Sequence, residues 1–392
     1  MQWITDNTSI QGFAFLKLRL RLPSRAGTRG GSMSSAHPEL DFKPEMPRRM
    51  DHGIGIVGAG GVVNYAHLPA YAQAGFKVVG ITDKDRQRAA KTAADHKIPK
   101  VYSSLEELVA DPEVEIVDIA VYPWETLTIG EHAIRAGKNI LCQKPLSDEY
   151  GKAVRLVDMA REAKLKMAVN QQMRWTVAIR GSRQLLIQGW LGTPTYGTIQ
   201  VHCQTDWSMW PWMYTRKRLE VLNHSIHYID SLRYLFGEPD RVFTSGSRMP
   251  GEPTEAETRT LTIWEYDSGL QVLIDVNHGV WQDDRYATFR FEGTDGIIKG
   301  TIGLMYNYPA GRPDTLEFMS KKSMGYWFSA RNDYLWIPDA FVGPMGSLMR
   351  AIEEDGEALT SGADNLKTLQ VVFAQYRSME ERRAVSPQEV VA

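Results

Sequence analysis

From residue 52 to about 170 the chain alternates short apolar runs with helical patterns. GIGIVGAG (53–60), FKVVGITD (76–83), VEIVDIAV (114–121), KNILCQ (138–143) and LKMAVN (165–170) read as strands, several with no polar face. VVNYAHLPAYAQAG (62–75), DRQRAAKTAADH (85–96), TLTIGEHAIRAG (126–137) and the stretch about 148–163 read as helices between them. A strand apolar on both sides must be covered on both sides, and helices that alternate with such strands make the sheet parallel. The pattern therefore predicts an α/β layer over residues 51–171. After 172 the rhythm changes. A helix near 174–189, a strand TYGTIQVHC (195–203) and a helix over 218–236 lead into β-rich segments at 241–248, 257–266, 270–279 and 286–293, then a late helix at 363–382. This half, 172–385, predicts an α+β domain with a large, mostly antiparallel open sheet.

Bulk properties exclude several classes. At 392 residues the chain is long enough for two domains, and a net charge of −2 draws it to neither nucleic acid nor an anionic membrane. It has no apolar run long enough for a membrane span. Cys142 and Cys203 are too few for a disulfide framework, which points to a reducing, cytoplasmic setting. Residues 1–50 are basic, then rich in Gly and Ser, without the layout of a secretory signal; they read as a flexible arm, an interface arm or an upstream translation start.

The sharpest local signal is Gly58 and Gly60, set between the first strand and the first helix, with Gly61, Val62 and Val63 opening the helix. A phosphate approaches backbone only where side chains are absent, and a helix N-terminus offers free N–H groups to it. The third glycine of the dinucleotide fingerprint is replaced by Val63, but Asp83 ends the next strand, where an acid accepts hydrogen bonds from a ribose. The negative charge of Asp83 opposes a 2′-phosphate, so NAD is expected in preference to NADP. Arg86 lies near enough to weigh against that preference.

Together, GIVGAGGVVNYAHLPAY, AGKNILCQKPL (136–146) and LNHSIHYIDSLRYLFGEP (222–239) resemble the Gfo/Idh/MocA family, the glucose-fructose oxidoreductase and inositol dehydrogenase group. The resemblance covers about 52–385. It implies a Rossmann dinucleotide-binding domain followed by a domain whose sheet forms oligomers, here a dimer or tetramer. It also implies hydride transfer between NAD(P) and a hydroxyl of a sugar, glycoside or polyol. The family's catalytic lysine in Glu-Lys-Pro matches Lys144, with Gln143 in place of the glutamate. Loss of that charge is expected to lower the lysine's proton affinity. The family's Asp-x-x-x-His matches Asn223 and His227, so asparagine stands where the aspartate is usual. Val121, Tyr122, Pro123 and Trp124 replace the family's loop after the fourth strand and are expected, with Gln143 and Lys144, on the nicotinamide side.

The run LNHSIHYID admits three readings: metal binding, proton transfer and packing. His224 and His227 have the short spacing of a ligand pair, with Asp230 or His202 as a third, but no cluster of cysteine or glutamate supports them, and zinc takes three or four ligands. No metal is therefore expected. His227 is expected as acid–base, aided by Lys144 and Asn223, since an imidazole titrates near working pH. His224 is read either as a pocket-lining donor or as a packed residue. Gln171 and Arg174, after the last strand of the first sheet, are further substrate-binding candidates. So are Asp206, Trp207 and Trp210 of DWSMWPWMY, whose rings suit sugar faces as well as a packed loop. A tightly held NAD recycled within one turnover, and a non-catalytic NAD-binding sensor, are the competing functions.

Overall fold

The computed structural model describes residues 38–392; most of the expected N-terminal arm lies outside them. The first sheet contains β1 (Ile54–Val57), β2 (Val78–Thr82), β3 (Lys100–Val101), β4 (Ile116–Ile119), β5 (Asn139–Cys142) and β6 (Met167–Val169). They are all parallel, in the order β3-β2-β1-β4-β5-β6. β1 and β4 are buried at every position, as strands covered on both sides must be. The crossovers carry α1 (Leu68–Ala74), α2 (Arg86–His96), α3 (Leu105–Ala110), α4 (Pro123–Arg135) and α5 (Tyr150–Glu162). The strand order reverses direction between β1 and β4. Their carboxyl ends, Val57 and Ile119, lie side by side in register and Cys142 of β5 is next to Ile119. Such a switch point is where open α/β sheets bind ligands.

A short turn at Gln172–Trp175 and α6 (Val177–Ile187) lead into the second sheet. Its strands are β7 (Pro194–His202), β8 (Arg241–Ser247), β9 (Arg259–Glu265), β10 (Gln271–Asn277), β11 (Tyr286–Gly293), β12 (Gly296–Thr301), β13 (Thr315–Ser320) and β14 (Phe328–Ser329), in the order β14-β13-β12-β11-β7-β10-β9-β8. Only the β7–β10 pair is parallel. α7 (Ile226–Phe236), α8 (Val342–Glu354) and α9 (Gly362–Glu381) complete the chain; α9 packs on β8 and α6 on β13. On β9 the residues alternate strictly: Thr260, Thr262 and Trp264 point into the core, and Leu261 and Ile263 point out.

Residues 38–50 run along the body. The Asp41 N–H donates to Gln184 of α6 at 2.8 Å, and the Arg48 and Arg49 N–H groups donate to the carboxylate of Glu353 on α8.

One buried cluster ties α7 to the end of the first sheet. Arg174, in the turn just after β6, is 3 % exposed and binds both oxygens of Asp230 on α7, at 2.6 and 2.7 Å. It also reaches Asp364 at the start of α9 and the carbonyl of Leu359. Thr368 of α9 donates to Asp230 at 2.8 Å. A fork-on-carboxylate pair of this kind fixes orientation as well as distance. Replacing Arg174 with Met leaves Asp230 buried without its cation. The expected loss is about 3–5 kcal/mol of stability, read as a lower denaturant midpoint with unchanged slope.

Candidate active site

Gly58 follows β1 directly at φ +107°, a left-handed conformation that disfavours any side chain. A Cβ there would stand 2.3 Å from the Ala120 carbonyl, whereas one on Gly60 would meet nothing within 4 Å. The first glycine thus lets the chain turn against β4 and the second leaves open space. The helix that follows opens with a wide π turn at Val63–His67 before α1. Val62 and Val63 lie at this opening, and Val63 is fully buried. Asp83, at the tip of β2, accepts the Ala59 N–H at 2.7 Å and the Asp85 N–H at 2.8 Å. Its carboxylate is therefore pinned beside the glycine turn. Arg86 begins α2 on the exposed side, and Lys84 pairs with Glu125.

Tyr122, in the loop after β4, stacks on Trp124 with ring centroids 4.7 Å apart and planes 10° apart. Trp212 closes over both, at 5.2 and 5.7 Å, and the Arg216 guanidinium lies 3.8 Å over the Trp124 ring. Pro123 begins α4. The aromatic loop thus reaches the carboxyl edge of the first sheet, but through Trp212 rather than Trp207. Trp207 is buried with Leu219 and Ala256 in a small separate core, and Trp210 rests edge-on against Tyr308.

Lys144 follows β5, and its Nζ donates to the backbone carbonyl of Asn223 at 2.6 Å. That carbonyl lies in a second π turn, Val221–Ser225, which precedes α7. Wide turns of this kind often mark functional positions. The enclosed cleft penalises the ammonium form and lowers the pKa of Lys144 to about 8. The direction is the one expected from the sequence, but its cause is burial. The amide of Gln143 accepts the Lys144 N–H at 2.7 Å and donates to His67 Nε2 at 3.0 Å. Asn170 donates to the same nitrogen at 3.1 Å, so His67 Nδ1 carries the proton and gives it to Asp118 at 2.8 Å. Tyr71 also donates to Asp118. This buried chain, Asp118–His67–Gln143, lies directly behind the lysine.

His227 is 8 % exposed, packs its ring edge-on to Trp336 at 5.4 Å, and has no hydrogen-bond partner for Nδ1 among the described residues. Burial, with Lys144 and His224 nearby, pushes its pKa well below the usual imidazole value. His224 borders the same cleft; burial and Lys144 lower it to about 3. Both rings are therefore neutral near pH 7.

The chain matches the model of the oxidoreductase family with an NAD-binding Rossmann fold over residues 52–171, and that of the GFO/IDH/MocA C-terminal domain over 179–299. It belongs to the Gfo/Idh/MocA family. An uncharacterized oxidoreductase of Schizosaccharomyces pombe is 36% identical over 266 residues, 62% of this chain and 67% of its own length. D-Apiose dehydrogenase of Paraburkholderia graminis is 26% identical, covering 81% of this chain and 85% of its own. The fold is shared with an oxidoreductase from Agrobacterium radiobacter solved in complex with NAD+, L-tartaric acid and magnesium. That match has TM-score 0.77 at 22% identity, over 87% of this chain and all of the other.

Several expectations for a Gfo/Idh/MocA chain change in the structure. Arg174 was expected at the substrate; its guanidinium is committed to Asp230, Asp364 and Leu359 instead. The Asn223 amide turns back to the carbonyls of Leu219 and Arg218 at 3.1 and 3.4 Å, so its backbone oxygen, not its side chain, meets Lys144. Asp206 caps a short turn by accepting from the Ser208 N–H and hydroxyl. Gln171 is wholly buried, and neither polar atom of its amide has a partner among the described residues. Sequence reasoning missed His67 and Asp118. The helical register of NYAHLPAY put His67 on a buried face, but nothing in the sequence pointed to its partner.

An NAD-binding Rossmann domain fits this turn. Asp83→Asn keeps one acceptor for the Ala59 N–H and removes the charge. The NADP-to-NAD ratio of dissociation constants is expected to shift toward NADP by roughly ten- to a hundredfold, the range of one charge-assisted hydrogen bond, measured by titrating each dinucleotide.

Proposed function

We propose that this member of the family oxidises a secondary hydroxyl of a sugar, glycoside or polyol with NAD, and that Lys144 and His227 act at that hydroxyl. The observation that carries the reading is the position of Lys144 Nζ. It is held on the Asn223 carbonyl beside His227 and next to the carboxyl edge at which the Gly58 turn opens. The bound nicotinamide supplies the hydride acceptor. The neutral amine of Lys144, with a pKa of about 8, takes the hydroxyl proton. His227, kept uncharged by burial, offers a ring nitrogen that orients the hydroxyl. Lys144 is thus the leading acid–base group and His227 its partner, the reverse of the order drawn from the sequence. Gln143, held by His67, fixes the backbone beneath the lysine and acts by positioning. Trp212, tilted against Tyr122 and Trp124, supplies an aromatic ring at the edge of the cleft. Three of its relatives are named as dehydrogenases of such compounds: D-apiose, myo-inositol and levoglucosan.

A screen of sugars and polyols read by NADH absorbance tests this. Accumulating NADH is expected. Product formed without NADH would support a recycled cofactor, and dinucleotide binding without turnover a sensor; either sinks the proposal. Because the base is the unprotonated amine, kcat/KM for oxidation rises with pH and levels above about 8. Lys144→Met is expected to remove that rise and lower kcat/KM by about 10²–10⁴.

The chain is further proposed to form a homo-oligomer through the open sheet. Phe243, Leu261 and Ile263 lie together on its outer face and are each more than two-fifths exposed. An apolar face of this kind on a sheet is a contact surface. Leu261→Lys with Ile263→Lys is expected to convert the assembly to monomer in size-exclusion chromatography with light scattering; an unchanged mass rejects this surface. No disulfide joins Cys142 and Cys203, both of them buried, which supports a reducing, cytoplasmic setting. No helix among the described residues is long and apolar enough to cross a membrane.

A further inference from the structure

Beside the lysine, and unused by the chemistry above, three side chains from two elements converge. Glu220 and His224 come from the segment before α7, four residues apart, and His278 follows β10. One donor atom from each lies within 4.8 Å of the other two. His224 Nδ1 stands 3.7 Å from the Glu220 carboxylate, and the two imidazole centroids are 4.4 Å apart at 69°. The two rings meet edge to face rather than stacking.

Three features mark this as a built site. His278 is 3 % exposed, and its Nδ1 is engaged by the Thr205 hydroxyl at 2.7 Å. This leaves Nε2 buried and, among the described residues, without a hydrogen-bond partner. His224 Nδ1 is likewise without one. Glu220 is fully buried. Its oxygens accept from the hydroxyls of Ser225 and Thr260, and no Lys or Arg among the described residues forms an ion pair with it. Two orphaned imidazole nitrogens and a buried carboxylate without a cation are each costly in isolation. A divalent cation between them satisfies all three.

We propose that Glu220, His224 and His278 bind a divalent transition-metal ion of the zinc class. Two imidazoles and a carboxylate suit such an ion, and three protein ligands leave a fourth, tetrahedral position for an oxygen donor. Donor atoms around tetrahedral zinc lie about 3.3 Å apart at bond lengths of about 2.0–2.1 Å. The observed spacing therefore needs only a small inward movement of two side chains. Thr205 has the outer-shell place, holding the His278 ring by the nitrogen that does not face the cluster. His227 and Asp230, the partners suggested for His224 by sequence spacing, are not part of the group. Asp230 is bound to Arg174, and the further ligands come from residues 220 and 278.

The test uses the full chain, stripped with a chelator and dialysed against Zn2+ alone, with neither sugar nor dinucleotide present, so its outcome is independent of the proposed reaction. Elemental analysis is expected to find one zinc per chain, and Co2+ in its place to give visible ligand-field absorption. His278→Ala and Glu220→Gln are expected to abolish stoichiometric retention. Thr205→Val is expected to weaken binding by about ten- to a hundredfold, as loss of an outer-shell partner does. It keeps the proposal testable if the ligand variants fail to fold. His202→Ala, which removes a histidine paired to Asp275 outside the cluster, is expected to bind as the parent does. Failure of the parent to retain zinc overturns the proposal. So does retention undiminished by all three of His278→Ala, Glu220→Gln and Thr205→Val.

Discussion

The Arg174–Asp230 pair is the constraint on which the cleft depends. The guanidinium sits at the end of the first sheet and the carboxylate on α7, and both are buried. Bidentate geometry fixes the angle between them, and Asp364 and Thr368 fix α9 to the same point. α7 is therefore locked against the sheet that ends in Lys144. Without that lock, Asn223 and His227 would have no defined distance from the lysine, because the chain between them runs through α5, β6, α6 and β7.

What the lock produces is a lysine in an unusual setting. Its Nζ meets a carbonyl rather than a carboxylate, and the nearby rings are neutral. No carboxylate among the described residues pairs with the amine, and burial outweighs the one carbonyl contact, whereas an adjacent aspartate would hold it charged. The asparagine at 223 thus matters less through its side chain than through the charge it lacks. The π turn does the rest, since it directs a main-chain oxygen toward the lysine.

The architecture was largely legible in the sequence because its signals are local. Runs such as VEIVDIAV and LQVLIDVNHG carry strand character at short range, and the Gly58 turn announces the first crossover. Where glycine does two jobs, the reading failed. Gly300 lies within β12 because a Cβ there would stand 1.8 Å from the Thr315 carbonyl, yet glycine in a sequence argues against strand. α8 went unread because Gly343, Pro344 and Gly346 occupy its first turns, where proline is tolerated but a propensity count is poor. The candidates Lys144 and His227 came into view through resemblance, and Gly58 and Asp83 through spacing. Contacts between distant segments carry no period. Nothing in the sequence joins His278 to Glu220, or His67 to Asp118. The role of the Asn223 backbone was hidden as well, since LNHSIHYID reads as ordinary helix.

The Gln143 amide orients two things at once. Its oxygen takes the lysine's main-chain N–H and its nitrogen faces His67 Nε2, a ring whose other nitrogen already donates to Asp118. A carboxylate at 143 would place an acceptor against an acceptor unless the imidazole gained a second proton. One amide therefore couples the main chain under the lysine, through a single imidazole, to a carboxylate buried in the core of the first sheet.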